Sequence, residues 1–195
     1  MYSDFKSPYA YIAFKPGMEL TNKYNVDIKW RPFQLRLKGK GQRSIYSEWK
    51  VKYSYMDARR HANRLYDKQM LRGPLKIFDT TPALIGGLFA EKNNLLHSYC
   101  TNVFESFFKR EFAADDCNEV AELLETLGLS KDEYLDFLSN EGKALFERCL
   151  EEASEDQIFG VPIFMFNGEQ FWGADRIWLL EERLTEAGLT KSSEK

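Results

Sequence analysis

One stretch near the C-terminus, residues 160–176 (GVPIFMFNGEQFWGADR), limits what this chain can fold into more than any other. Two short apolar runs that are rich in aromatic residues, 163–166 and 170–172, flank the pair Asn167-Gly168. An Asn-Gly pair between such runs is the strongest short-range signal for a β-hairpin. The stretch therefore predicts two antiparallel strands.

The residues on either side of this hairpin carry signals of their own. Val161-Pro162 stands just before the first strand, where proline removes no ladder hydrogen bond and where an X-Pro bond can be cis at modest cost. After the second strand, Gly173, Ala174 and Asp175 open a predicted amphipathic helix. Free amides at a helix start beside a hairpin can hold an anionic ligand. Taken alone, the segment is equally consistent with a hairpin and helix that only close a sheet.

Composition narrows the class of protein. A chain of 195 residues with 44% hydrophobic and 15% aromatic residues suits one domain, or one domain with a large insertion. A net charge of -3 argues against nucleic acid or an anionic membrane as the main partner. Three cysteines without a CxxC motif, and two histidines away from zinc-ligand spacing, predict neither a disulfide framework nor a metal site. With neither a membrane span nor a signal peptide in its pattern, we expect a soluble cytoplasmic protein.

The first third of the chain predicts a strand, a helix and a second strand. Ser7-Pro8 has the pattern of an N-cap followed by a first helical residue, and Pro16-Gly17 should kink or break that helix. Residues 26–33 alternate apolar and polar side chains and predict a half-buried strand that ends at Pro32. Residues 1–5 offer almost nothing before Asp4, although a strand leading into the following helix normally needs about five residues. We therefore expect either that the true start lies upstream or that the sheet has lost an edge.

The middle of the chain predicts a basic loop and then a block of helices. Residues 35–47 contain four basic side chains and two glycines and predict a mobile loop. Helices are predicted over 48–66, from a cap at Thr80 or Thr81 to residue 90, and over 95–110. Further helices follow from a cap at Asp115 and from a capping box of Ser130 and Glu133. The result is an α/β unit split by a helical insertion.

The motifs DFKSPY at residues 4–9, GVP at 160–162 and WGADR at 172–176 together resemble those of the glutathione-dependent 2-hydroxychromene-2-carboxylate isomerases. That family is related to the kappa-class glutathione transferases and the DsbA-like oxidoreductases. The resemblance extends to the pattern Lys50, Tyr53, Asp57, Arg60. It implies an α/β, thioredoxin-like fold with an inserted all-helical domain. Residues 1–47 and 155–195 would form the thioredoxin-like domain, and residues 48–154 the helical insertion.

The resemblance also implies a glutathione site. Ser7 would occupy the place of the first reactive cysteine of the oxidoreductases, where its hydroxyl and the helix dipole favour a bound thiolate. Pro162 would be cis, and the Val161 backbone would pair with the cysteinyl part of glutathione. Asp175 would face the γ-glutamyl ammonium. The other implied cofactor-binding residues are Tyr9, Trp172, Gly173, Ala174 and Arg176.

A cation would be needed for an aromatic acid substrate, and Lys50 is the matching candidate, with Arg36 or Lys38 as helpers. A solvated helix lysine is an equally good interpretation of Lys50. The family commonly has an asparagine-proline motif shortly before this lysine, whereas here Tyr46-Ser47-Glu48 stands in its place. The substrate therefore stays open.

Three functions follow from the resemblance. The first is glutathione-dependent cis-trans isomerisation of an aromatic or conjugated carboxylic acid, with Ser7 stabilising the thiolate. A kappa-like glutathione transferase and a non-catalytic thioredoxin-fold binding protein are the alternatives. A disulfide oxidoreductase is disfavoured because no cysteine lies near Ser7. The family also implies a homodimer with small-molecule partners.

Overall fold

The computed structural model describes residues 1–35, 45–65, 72–76 and 79–192. Most of the predicted basic loop, residues 36–44, therefore lies outside the described residues. In chain order the elements are β1 (Tyr2–Ser3), α1 (Pro8–Met18), α2 (Leu20–Lys23), β2 (Arg31–Pro32), α3 (Ile45–Leu65), α4 (Thr81–Lys92), α5 (Leu96–Lys109), α6 (Cys117–Thr126), α7 (Lys131–Ser139), α8 (Glu141–Glu155), β3 (Ile163–Phe166), β4 (Glu169–Trp172), a 3-10 turn (Ala174–Arg176) and α9 (Ile177–Glu186).

The strands form one mixed sheet. Within the described part of the chain its order is β2-β1-β3-β4. β1 is parallel to β2, with Tyr2 opposite Arg31, and antiparallel to β3, with Tyr2 opposite Ile163. The short first segment thus does form a strand, and this strand lies in the interior of the sheet.

The strand predicted over residues 26–33 is wrong in its extent. Only Arg31 and Pro32 form β2, and the preceding residues run beside β1 without forming a ladder. The reason is the length of the partner, since β1 offers two residues for pairing. Trp30 is nevertheless fully buried, so the apolar side of the pattern did identify a core position.

Helix α1 begins as predicted, with Ser7 at the N-cap and Pro8 as its first residue. It does not break at Pro16-Gly17 but continues to Met18, and α2 resumes two residues later. Proline removes one backbone hydrogen bond, and burial of this part of the helix outweighs that loss. Gly17 packs so closely on β3 that an added Cβ would lie 2.6 Å from the Phe164 ring.

The hairpin is confirmed. Asn167 and Gly168 both have positive φ angles, 49° and 81°, as a type I′ turn requires. β4 begins at Glu169, one residue earlier than predicted. The helix after it differs from the prediction, because α9 begins at Ile177 and the residues from Ala174 to Arg176 form a 3-10 turn.

A block of helices, α3 to α8, separates β2 from β3 in the chain. Ser130 caps α7 through a hydrogen bond from the Glu133 amide, as predicted. The cap of α6 is Asp116 and not Asp115, since its carboxylate accepts from the Asn118 and Glu119 amides. Thr80 precedes α4 as predicted, but its hydroxyl donates to Asp4 and makes no cap.

Two main clusters of buried side chains hold these layers together. The larger joins α1 to the helical block through aromatic rings, among them Phe5, Trp30 and Phe104. The second packs α9 and Ala13 of α1 on the hairpin around Phe164 and Phe171. Helix α1 contributes to both and so has a fixed position relative to the hairpin. No helix in the described ranges is long and apolar enough to cross a membrane.

Candidate functional site

Ser7 lies where the two ends of the chain meet. Its side chain is almost completely buried, and its Oγ accepts a hydrogen bond from the Ala10 amide at 3.2 Å. The same hydroxyl donates to the carbonyl oxygen of Val161, also at 3.2 Å. Residues 154 positions apart in sequence are therefore joined directly. The sequence predicted both residues for one site, and the structure brings them together.

The Val161-Pro162 peptide bond is cis, as predicted. The Pro162 carbonyl accepts from the Gly173 amide at 3.0 Å, which connects this turn to the end of β4. Val161 is buried, yet its amide has no hydrogen-bond acceptor among the described residues. A buried backbone donor without a partner is uncommon, and a bound peptide is one way to satisfy it.

A buried ion pair supports the turn that precedes Ser7. The Asp4 carboxylate is fully buried and lies 3.2 Å from the Lys6 ammonium, which is itself largely buried. It also accepts from the Thr80 hydroxyl at 2.7 Å and from the Leu35 amide at 2.7 Å. The Ser7 amide donates to the Asp4 carbonyl at 3.0 Å. The network thus connects the start of α1 with β2 and α4.

Burial dominates the titration of this carboxyl. It raises the pKa of Asp4 above its usual value, and the Lys6 ammonium and the hydrogen bonds to the carboxylate oppose that rise. Burying such an ion pair costs desolvation free energy, and removing one of its partners strongly destabilises the folded protein. Its structural effect is to fix the backbone that holds the Ser7 hydroxyl.

Tyr9 is half-buried and is the second residue of α1. Its hydroxyl donates to Oδ2 of Asp57 on α3 at 2.9 Å. The pKa of Tyr9 is raised to about 12, mainly by burial and to a smaller extent by this hydrogen bond. Because its hydrogen is held by Asp57, the Tyr9 oxygen can offer a ligand only a lone pair. Its predicted place beside the thiol stays a prediction.

The second part of the predicted site lies at the end of the hairpin and is open to solvent. Gly173 has a φ of 101°, which allows the chain to turn from β4 into the 3-10 turn. Asp175 and Arg176 are exposed and pair with each other, with Nη1 of Arg176 2.6 Å from Oδ2 of Asp175. Ala174 packs against both main clusters and joins this turn to α1.

Trp172 is exposed beside this turn. Its ring contacts the ring of Phe159 edge to face, with centroids 5.0 Å apart. An added Cβ at Gly160 would lie 3.5 Å from Nε1 of Trp172, so the indole borders the turn before Val161. The predicted residues Trp172 and Val161 are therefore neighbours.

Lys50 is exposed on α3, and its ammonium has no hydrogen-bond or ion-pair partner among the described residues. It precedes Asp57 by two helical turns and shares that face of the helix. No contact in the described ranges brings Lys50 to Ser7. Arg36 and Lys38 lie outside the described residues.

All three cysteines lie on helices of the middle block and are free. Burial holds the pKa of Cys100 well above its usual value and raises that of Cys149 to about 11. These two thiols are therefore protonated at neutral pH and poor nucleophiles.

Sequence reasoning missed the residues that support the site. Asp4 and Lys6 stand two positions apart in an otherwise apolar start, which was a signal for a buried pair. Thr80 could not be found in this way, because its hydroxyl reaches Asp4 from 76 positions away. Asp57 belongs to a motif of the sequence, but the motif does not indicate its partner Tyr9, because that contact depends on how α3 packs on α1.

Comparison with known proteins agrees with this arrangement. The model of the DSBA-like thioredoxin domain matches residues 1–185. A 2-hydroxychromene-2-carboxylate isomerase from Pseudomonas putida is 27% identical over 196 residues, which cover 94% of this chain and 92% of that protein. A solved 2-hydroxychromene-2-carboxylate isomerase has a TM-score of 0.80 and 26% identity, covering 96% of this chain and 94% of that one.

A cytosolic disulfide reductase from Pseudomonas aeruginosa, solved with glutathione, shares the fold with a TM-score of 0.64 at 16% identity. It is matched over 94% of this chain and 97% of its own. The predicted fold class, a thioredoxin-like α/β fold with a helical insertion, is confirmed by these matches. The resemblance to the isomerases is confirmed as well. The chain belongs to the family of the DSBA-like thioredoxin domain.

Proposed function

We propose that this protein is a glutathione-dependent cis-trans isomerase of an aromatic or conjugated carboxylic acid, in which Ser7 stabilises the glutathione thiolate. One observation carries the proposal. The Ser7 hydroxyl lies at the start of α1, 3.2 Å from the carbonyl of the residue that precedes a cis proline. A donor at a helix start favours a thiolate, and a free backbone amide beside it favours a peptide ligand.

Two further facts support this function over a redox function. The residues after Ser7 are Pro8, Tyr9 and Ala10, so the helix start has no thiol to form a disulfide. The relatives named as isomerases match over nearly the whole chain, and glutathione is present in a structure that shares the fold.

In this proposal glutathione, held by the residues around Ser7 and Val161, would supply a thiolate nucleophile for the conjugated double bond of the substrate. The residues of the chain bind and position the reactants. Val161 presents its backbone to the cysteinyl part, and Ser7 donates to the sulfur. Asp175 attracts the γ-glutamyl ammonium, and the amides from Gly173 to Arg176 hold its carboxylate. Lys50 attracts the substrate carboxylate.

The first experiment is to add glutathione and follow thermal unfolding, because a ligand that binds the folded state raises its melting temperature. The second is to incubate the protein with glutathione and a chromene carboxylate, and to measure substrate conversion and free thiol together. Conversion with the thiol unchanged is the expected result.

The alternatives give different results in the same experiments. A kappa-like transferase would consume the thiol in step with an electrophilic halonitrobenzene. A non-catalytic binding protein would show a melting shift at most, without conversion of either compound. The resemblance also leads us to propose a cytoplasmic homodimer, which light scattering of the purified protein tests.

A further inference from the structure

We infer that glutathione binding transfers the Ser7 hydrogen bond from one acceptor to another, and that this transfer activates the thiol. In the structure the Ser7 hydroxyl donates to the Val161 carbonyl. The cysteinyl N–H of glutathione would take over this carbonyl, and the Ser7 hydroxyl would then turn to the sulfur. The inference rests on the proposed function and specifies how its thiolate is formed.

The first reason is that the Ser7 hydroxyl can donate only one hydrogen bond. A serine hydroxyl has one hydrogen, and here it points to Val161, while a lone pair accepts from the Ala10 amide. The hydroxyl therefore cannot donate to a thiolate until it leaves the Val161 carbonyl. A site built only to hold a thiolate would not need this competing acceptor.

The second reason is the state of the Val161 backbone. Its amide has no acceptor and its carbonyl has no partner other than Ser7 among the described residues, although the residue is buried. Ser7 thus compensates a carbonyl that would otherwise be buried and unpaired. A ligand that brings its own N–H removes that need.

The direction of the transfer follows from the strengths of the acceptors. A hydrogen bond to an ionised acceptor is roughly twice as strong as one to a neutral carbonyl. Once the cysteinyl N–H satisfies Val161, the stronger partner for Ser7 is the thiolate. The thiol proton passes to solvent, and no polar group of the pair is left unpaired. Thiol activation is thereby coupled to binding of the peptide backbone.

The test compares glutathione with an analogue in which an ester oxygen replaces the cysteinyl N–H. The pKa of the bound thiol is read from the ultraviolet absorbance of the thiolate as pH is varied. With the wild-type protein we expect the analogue to bind about tenfold more weakly. Its bound thiol should have a pKa about one pH unit above that of bound glutathione.

Ser7→Ala gives a second and opposite readout. Without the hydroxyl, the Val161 carbonyl has no internal donor, so a thiol-free tripeptide, γ-glutamyl-alanyl-glycine, should bind the variant about threefold more tightly than wild type. The two thiol ligands should then differ no longer in thiol pKa. Ser130→Ala is the matched control, because it removes another N-cap serine, on α7, and should change neither quantity.

The outcomes separate this inference from the proposed function. Equal thiol pKa values for both ligands in the wild type would overturn the transfer and leave the isomerase proposal standing. Tighter binding of the tripeptide to Ser7→Ala supports the transfer, and unchanged or weaker binding contradicts it. If glutathione itself does not bind, both proposals fail. Should Ser7→Ala not fold, the comparison of the two ligands on the wild type decides.

Discussion

The two parts of the candidate site differ in how deeply their side chains are buried and in how many hydrogen-bond partners the protein itself supplies. Around Ser7 and Val161 the side chains are 3% and 6% exposed, and the hydroxyl has a partner on each side. At the end of the hairpin, Trp172 is 53% exposed and the Asp175 side chain 67%. The part that would meet the thiol is preformed, whereas the part that would meet the charged end of the ligand is open.

The two parts also differ in the contacts that hold their backbone in place. The Ser7 turn is held by Asp4 and Lys6, a buried pair whose partners Leu35 and Thr80 come from two other segments. The Asp175 turn is held by the backbone of Gly173 and by an ion pair in solvent. Exposed ion pairs contribute little to stability, whereas breaking a buried pair is costly. Substitutions in the two parts should therefore have very different effects on folding.

The largest effect is expected from Asp4→Ala. It leaves the buried Lys6 ammonium without its carboxylate and should lower the free energy of unfolding by about 3–5 kcal/mol. Chemical denaturation of the variant measures this. Glu141→Ala is the control, since it breaks an exposed pair with Lys92 and should cost at most about 1 kcal/mol. Similar losses for both variants would contradict the role given to the buried pair.

Gly173→Ala should have the next largest effect, and it tests whether the open part of the site depends on its backbone. At a φ of 101° and a ψ of 157° a residue with a Cβ is strained, by about 1–3 kcal/mol. Thermal and chemical unfolding measure the loss. Gly160→Ala is the matched control nearby, because its φ is not positive and its Cβ would only touch the Trp172 ring. A larger loss at Gly160 would show that packing, and not backbone strain, limits this region.

Ser7→Ala and Ser130→Ala compare two N-cap serines, one inside the proposed site and one on the surface. Ser130→Ala should lower stability by about 1 kcal/mol through loss of the cap, and Ser7→Ala by more, because it also leaves the buried Val161 carbonyl without its donor. Isomerase turnover should fall at least about tenfold in Ser7→Ala only, because the thiolate loses a donor. Steady-state kinetics with saturating glutathione measure this. Equal turnover in the two variants would remove Ser7 from the mechanism.

The smallest effect on folding is expected from Asp175→Asn. The exposed pair with Arg176 should contribute no more than about 0.5 kcal/mol, so the melting curve should hardly move. The dissociation constant for glutathione should rise roughly tenfold if the carboxylate faces the γ-glutamyl ammonium. Calorimetric titration measures it, with Glu182→Gln, an exposed change on α9, as control. An unchanged constant would place the ammonium elsewhere.

Local signals in the sequence predicted the elements that depend on few neighbours. The Asn167-Gly168 turn and the Ser7-Pro8 helix start are as expected, because each is set by the conformational limits of two or three residues. The cis Val161-Pro162 bond was implied by the family resemblance, since local preference allows this isomer without selecting it. The predictions were wrong where pairing with a residue distant in sequence determines the local structure. Residues 26–33 have the pattern of a strand, but the two residues of β1 limit the ladder.

The same distinction applies to the candidate site. Its two ends were predicted from motifs, which describe the Ser7 helix start and the hairpin separately. That the Ser7 hydroxyl already donates to the Val161 carbonyl followed from no pattern, since this bond depends on how α1 packs on the sheet. The partners of Asp4 and Tyr9 were hidden for the same reason.

The sequence by itself thus determined the hairpin, the cap of α1 and the family, because these reside in short-range backbone preferences and in motifs. The tertiary structure alone decided which donors and acceptors are left for a ligand. A single hydroxyl hydrogen can satisfy either the Val161 carbonyl or a thiolate, and only the packed structure shows that the carbonyl accepts it.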